Sequence, residues 1–211
     1  SGGAGHGAVF ASLDKVLACP IIIPSIPSQF FEEFFSSNTE LINPNALVID
    51  VCSVKVKPLE ILERLLPKTC NIIGTHPMFG PASIKKNGGI VGLKCVVSPV
   101  RAPNEVVQKV EAFISSTLNL KLLRRSPQDH DKEMAYVLSL SHYIARVMDI
   151  MDIPESELST LAYDELLAMK KIQAKDSWDL FESIMHDNPY SMEIHDMFKQ
   201  AQNRLDTKLE I

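Results

Sequence analysis

The sequence contains no apolar run approaching the roughly 20 residues that a membrane-spanning helix needs, and none of its four cysteines, Cys19, Cys52, Cys70 and Cys95, belongs to a CxxC pair. The first absence excludes a helical membrane protein. The second argues against a disulfide framework, and because Cys52 and Cys70 adjoin strand-like runs the cysteines read as buried thiols in a reducing compartment. Excess charge is also scarce. A formal charge of -5 and a pI near 5.7 give no electrostatic footprint for nucleic acid or an anionic membrane. There is no signal-peptide pattern, internal repeat or low-complexity tract, and no metal-ligand set is assigned. The expectation is a soluble cytoplasmic chain that handles a small molecule.

With 211 residues, 45% of them hydrophobic, the chain can bury a core as one large domain or two small ones. Its most informative stretch runs from Asp50 to Pro81. Two runs rich in Val and Ile, at 46–52 and 71–75, flank PLEILERLLP, in which Leu59, Ile61, Leu62, Leu65 and Leu66 recur at helical spacing. This predicts a strand, a helix and a strand. Polar residues follow each strand, Ser53 and Lys55 after the first and His76 after the second, at the carboxyl edge where open parallel sheets bind ligands.

The opening SGGAGHGAV resembles a phosphate loop, but a dinucleotide fingerprint must follow a strand, so it reads as a vector scar and loop. IIIPSI at 21–26 predicts a buried strand ended by Pro24, with Ser25 and Ile26 free to face a ligand. After the central unit, GPASIKKNGGIVG predicts a polar loop whose Lys85 and Lys86 either cover the site or are solvated. LKCVVSP, APNEVVQKVEAFISST and LKLLR then predict a strand, a helix and a final strand, closing the sheet half near Arg125.

From there the pattern is helical. Ser126-Pro127 supplies an N-cap and a first-turn proline, and Met134, Val137, Leu138, Ser141, Ile144, Ala145 and Met148 carry one helix to about Met151. A second is expected from roughly Glu155 to Lys171. A third carries Trp178, Phe181, Ile184 and Met185 on one side, and a fourth spans about Ser191 to Leu209. Apolar faces this wide predict contact with another subunit.

DVCSVK, THPMFGP, the DHDK at 129–132, LSLSHYIAR, DSWDLF and DNPY, in this order, resemble the motifs of the prephenate and arogenate dehydrogenases of tyrosine biosynthesis. The resemblance implies an α/β fold, a partial Rossmann-like parallel sheet domain (1–125) followed by an all-helical substrate and dimerisation domain (126–211). It implies that IIIPSI is the family's fourth strand, so that the chain is a fragment without the GxGxxG front end. The implied reaction is oxidative decarboxylation of prephenate with hydride transfer to NAD or NADP, the alternatives being arogenate dehydrogenase or a non-catalytic dimerisation or regulatory module. A homodimer is expected, with a plastid location if the source is a plant.

The resemblance also implies roles. His76 matches the catalytic histidine, and Ser53 the serine beside the hydroxyl and nicotinamide. The cofactor-binding set is Pro24, Ser25, Ile26, Cys52 and Ser53; the substrate-binding set is His142, Ser141 and Lys171. His130 is expected to tie its helix to the nucleotide domain. Lys171, or Lys170 if the alignment slips by one, falls where an arginine or an acid stands in relatives, and its charge favours the pyruvyl carboxylate of prephenate over the ammonium of arogenate. A solvated helix-end lysine is the other reading of the same residue.

Overall fold

Strand β1 (Ile21–Ile22), β2 (Leu47–Asp50), β3 (Asn71–Pro77), β4 (Lys94–Arg101) and β5 (Lys121–Arg124) lie side by side in sequence order in a computed structural model that describes residues 8–173 and 176–211. The glycine-rich stretch at 1–7 lies outside the described residues. β1, β2 and β3 are parallel, with Leu47 opposite Ile21 and Asp50 opposite Gly74. The expected strand, helix, strand unit is therefore present, its helix α3 running over Val56–Leu65.

The sheet is not wholly parallel, because β4 runs antiparallel to β3 before β5 pairs parallel to β4. The stretch expected as a polar loop explains this. It contains the short helix α4 (Pro81–Asn87), started by Pro81 after Gly80 and ended by Gly88 at φ 74°, where the Gly88 N–H donates to the Lys85 carbonyl at 3.4 Å and the Gly89 N–H to the Ile84 carbonyl at 3.0 Å. No α4 residue is buried. A parallel crossover needs a helix packed on the sheet, and without one the chain turns straight back. Lys85 and Lys86 are exposed on this helix.

β3 is buried at five consecutive positions, as a strand covered on both faces must be. On one face Ile72 joins Leu59 and Leu62 of α3, Leu17 of α1 (Leu13–Leu17), and Phe31 and Phe35 of α2 (Phe31–Asn38). On the other, Ile73 joins Val97 with Val107 and Val110 of α5 (Asn104–Ala112). Gly74 is required where α3 crosses β3: a Cβ there would lie 2.7 Å from Leu59 Cδ1 and 3.2 Å from Lys55 Cδ.

Every described element after β5 is helical: α6 (Pro127–Met134), α7 (Ser141–Ile150), α8 (Leu161–Gln173), α9 (Trp178–His186) and α10 (Ser191–Leu209). Ser126 caps α6 as expected, accepting the Asp129 N–H at 3.1 Å. α6 and α7 follow one helical path through a π-helical segment at Ala135–Leu140. Its wider turn shifts the buried face by about one residue. Ala135, Ser139 and His142 are buried, while Val137 is exposed and Ser141 only half-buried, so the expected stripe holds at Met134, Ala145 and Met148 but not between them. α8 starts at Leu161 rather than Glu155, because the Ser156 hydroxyl takes the Leu158 N–H in a local turn that competes with helix. On α9, Ile184 and Met185 are buried but Trp178 is exposed. Among the described residues no helix is long and apolar enough to cross a membrane.

Candidate active site

The register of β2 and β3 brings the candidate residues to one edge. Asp50 pairs with Gly74 across strands about 4.8 Å apart, and two residues further on lie Cys52, just past the end of β2, and His76, still within β3. Here a pocket of about 300 Å³ is lined by Ser25, Ile26, Cys52 and Ser53 from the strand ends and by Ser177 and Leu180 from the start of α9. Four of the five residues expected to hold cofactor therefore share one cavity. Pro24 does not line it; it is buried just past a strand only two residues long. Burial, reinforced by the Asp50 charge, pushes the Cys52 thiol up, so it lines the pocket as a neutral group.

Lys55 was expected to reach a ligand but is fully buried, its ammonium paired with the equally buried Asp50. Asp50 also accepts the Cys52 N–H at 3.0 Å, and its carbonyl accepts the Thr75 hydroxyl at 2.8 Å. The pair thus ties the end of β2 to the start of α3 and to β3.

His76 is buried at the end of β3, with Nδ1 hydrogen-bonded to His130 Nε2 at 2.9 Å. Burial first, then the Lys55 cation and His130, hold its pKa well below the ordinary histidine value, so it is a neutral imidazole at pH 7. The tie expected of His130 is made by its bond to His76, from α6 to β3, and its neighbour adds a second. Asp131 accepts the Lys55 and Val56 N–H groups at 2.8 Å each, capping α3 from α6. His130 itself lies between His76 and Asp131, its Nδ1 2.7 Å from Asp131 Oδ1.

His142 is buried on α7 with Nε2 3.7 Å from Asp176 Oδ2. Burial lowers its pKa, the Asp176 charge opposing and Arg146 assisting. Arg146, one turn along, donates to the Asp176 carbonyl at 2.5 Å and stacks 5.6 Å from the Trp178 and Phe181 ring centres. Among the described residues, His142 Nδ1, Arg146 Nε and Gln173 Oε1 are buried without a hydrogen-bond partner, an arrangement that is costly unless a ligand supplies one. Ser141 is engaged internally, donating to the Val137 carbonyl at 2.8 Å and accepting from Gln173 Nε2 at 3.0 Å.

Lys171 is not brought to this group. It is exposed near the end of α8, paired at 2.5 Å with the exposed Glu155, and lines a different depression with Asp164 and Leu167. Lys170 donates to the Ile153 carbonyl at 3.3 Å. Sequence reasoning passed over Asp131, Arg146 and Asp176. The i, i+4 spacing of His142 and Arg146 and the DHDK run were the available signals. Among the described residues no group of three or more potential ligands is arranged to hold a metal ion.

The family description "prephenate dehydrogenase, nucleotide-binding domain" matches residues 3–117, and "TYRAAT1-like, C-terminal domain" matches 147–211. Arogenate dehydrogenase 1, chloroplastic, of Arabidopsis thaliana is 32% identical over 154 residues, which is 71% of this chain and 24% of that protein. Arogenate dehydrogenase 2, chloroplastic, of the same plant is 31% identical over 153 residues, 71% of this chain and 42% of that one. The chain thus spans less than half the length of these relatives. Prephenate dehydrogenase from Aquifex aeolicus has the same fold, with a TM-score of 0.73 at 22% identity over 95% of this chain and 74% of that one. Its structure in complex with hydroxyphenyl propionate and NAD+ aligns at 0.71 and 20% identity, over 95% and 73%.

Proposed function

The chain belongs to the prephenate dehydrogenase family, and from that premise we propose that it carries the substrate-handling part of an arogenate dehydrogenase, which oxidatively decarboxylates a cyclohexadienyl alcohol to a phenol. The observation that carries the chemistry is a neutral, buried His76 at the carboxyl end of β3, the strand paired with β2, whose following residues Cys52 and Ser53 line the pocket. The pocket's hydroxyl and apolar lining suits the nicotinamide end of an NAD or NADP cofactor, with Ser25, Ile26, Cys52 and Ser53 in contact. When bound, that cofactor accepts hydride from the hydroxyl-bearing ring carbon.

His76 accepts the hydrogen bond of the ring hydroxyl, pushing electron density toward that carbon as the hydride departs. The bond to the ring carboxylate then breaks, carbon dioxide leaves and the ring becomes aromatic. The hydroxyl proton is only borrowed, because carboxylate plus oxidised cofactor becomes phenol, carbon dioxide and reduced cofactor with no net proton. Ser53 orients the hydroxyl.

The side chain common to both candidate substrates ends in a carboxylate, and Arg146, with His142 one turn away, is the cation we assign to it. The substrates differ at the adjacent carbon, an ammonium in arogenate and a ketone in prephenate. The acid next to His142 is Asp176, which suits the ammonium, and the lysine that favoured prephenate is neutralised by Glu155. The names of both Arabidopsis relatives support the same choice. In the full-length enzyme, kcat/KM for arogenate exceeds that for prephenate by about tenfold or more, equivalent to about 1.4 kcal/mol. Asp176→Asn narrows the ratio and Lys171→Ala leaves it unchanged. Steady-state rates with both substrates measure this, and a preference for prephenate overturns it.

The enzyme is further proposed to be a homodimer through its helices, because Ile150, Met151, Leu161, Leu205 and Leu209 expose large apolar side chains. Sedimentation velocity should give a species of twice the chain mass, and a monomer at every concentration contradicts it.

A further inference from the structure

The hydrogen bonds that end on His76 have a direction. Asp131, as a carboxylate, can only accept, and it already accepts the Lys55 and Val56 N–H groups at 2.8 Å. The proton in its 2.7 Å bond to His130 therefore sits on His130 Nδ1. In a neutral ring the other nitrogen then carries a lone pair, so His130 Nε2 accepts, and the proton in the 2.9 Å bond belongs to His76 Nδ1. What remains on His76 is a bare Nε2. The opposite tautomer would direct two lone pairs at each other across 2.9 Å in a site where all three side chains are buried.

We propose that His130 and Asp131 are a positioning pair that holds His76 in the Nδ1–H tautomer, leaving Nε2 as the acceptor offered to the substrate hydroxyl. The catalytic value of this pair rests on the reading of His76 given above; the tautomer itself does not. The pair is built into the fold. Asp131 is anchored by the first N–H groups at the start of α3, and Asn188 Nδ2 donates to the Asp131 carbonyl at 2.8 Å, so the relay is braced from both α3 and the end of α9. A base oriented by a second residue that is oriented by a third is the geometry by which activated acid–base groups are recognised. His130 thus has a role beyond joining two parts of the chain.

The test reads the tautomer directly. Long-range proton–nitrogen NMR of the histidine-labelled chain at pH 7.5 should show His76 with Nδ1 protonated and Nε2 bare. His130→Phe removes the acceptor, and His76 shifts toward the Nε2–H form. His130→Gln, whose amide oxygen can accept from His76 while its NH₂ donates to Asp131, returns it to the wild-type form. In the full-length enzyme His130→Phe lowers kcat by about tenfold or more with KM changed less than about twofold, within the range of acid–base effects, and His130→Gln recovers most of it. A protonated Nε2 in the wild-type chain, or an unchanged tautomer in His130→Phe, overturns the proposal. If His130→Phe does not fold, the wild-type and His130→Gln spectra still decide it. A correct tautomer combined with full activity of a His76 variant would instead refute the proposed function and leave the positioning pair standing.

Discussion

His76→Asn in the full-length enzyme lowers turnover by about two or more orders of magnitude, the range expected for loss of a positioned acid–base group. Asparagine is the informative replacement, because its amide can still donate to His130 Nε2 in place of His76 Nδ1. The relay and the strand end then stay intact, and only the second nitrogen is lost. Cofactor affinity should change little, since His76 does not line the pocket formed by Ser25, Ile26, Cys52 and Ser53. The effect is large because the wild-type imidazole is already in its basic form at neutral pH: burial, the Lys55 cation and His130 all disfavour its protonation. Single-turnover kinetics separate the chemical step from release, and unchanged turnover would remove His76 from the mechanism.

Lys55→Met should destabilise the chain by about 3–5 kcal/mol, the usual cost of breaking a fully buried ion pair by removing one partner. Both side chains of the Lys55–Asp50 pair are inaccessible to water, so the stranded carboxylate has no solvent to turn to. Changing Asp50→Asn as well should recover much of the loss, because no net charge is then left buried. Urea denaturation of the single and double variants measures both.

The pH dependence of that deficit has a definite sign. His76 and His142 have folded pKa values below the ordinary histidine value. Their contribution to stability is complete above an unfolded pKa of about 6.5 and is lost as pH falls below it, because the unfolded chain then binds protons that the folded chain refuses. Removing Lys55 takes away part of what keeps His76 unprotonated. The wild-type chain therefore loses stability on acidification faster than Lys55→Met. The gap between them is widest near pH 8 and narrows toward pH 5.

Much of the sheet half was legible because its signals are local. Continuous Val and Ile runs marked β2 and β3, and the leucine spacing marked α3 between them. Pro24 marked the end of β1, although β1 is shorter than its apolar run suggests. The antiparallel return of β4 was not legible, because direction depends on whether the intervening segment packs on the sheet, and α4 buries nothing. In the helical half Ser126 was readable as a cap, but the π segment at Ala135–Leu140 was not. A single extra residue in a turn leaves the amino-acid pattern intact and rotates everything after it.

The sequence by itself determined the family, the α/β class and the edge at which Ser53 and His76 stand, since each follows from short motifs and from the period of side chains along one element. Only the tertiary structure decided what those residues face. His130 and His76 are 54 positions apart, and no local pattern pairs them. Lys55 and Lys171 are the same side chain in the sequence, yet packing against Gly74 encloses one beside Asp50, while the other meets Glu155 in water. A charge takes its meaning from its partner and from the solvent left around it, and both are set by how distant segments pack.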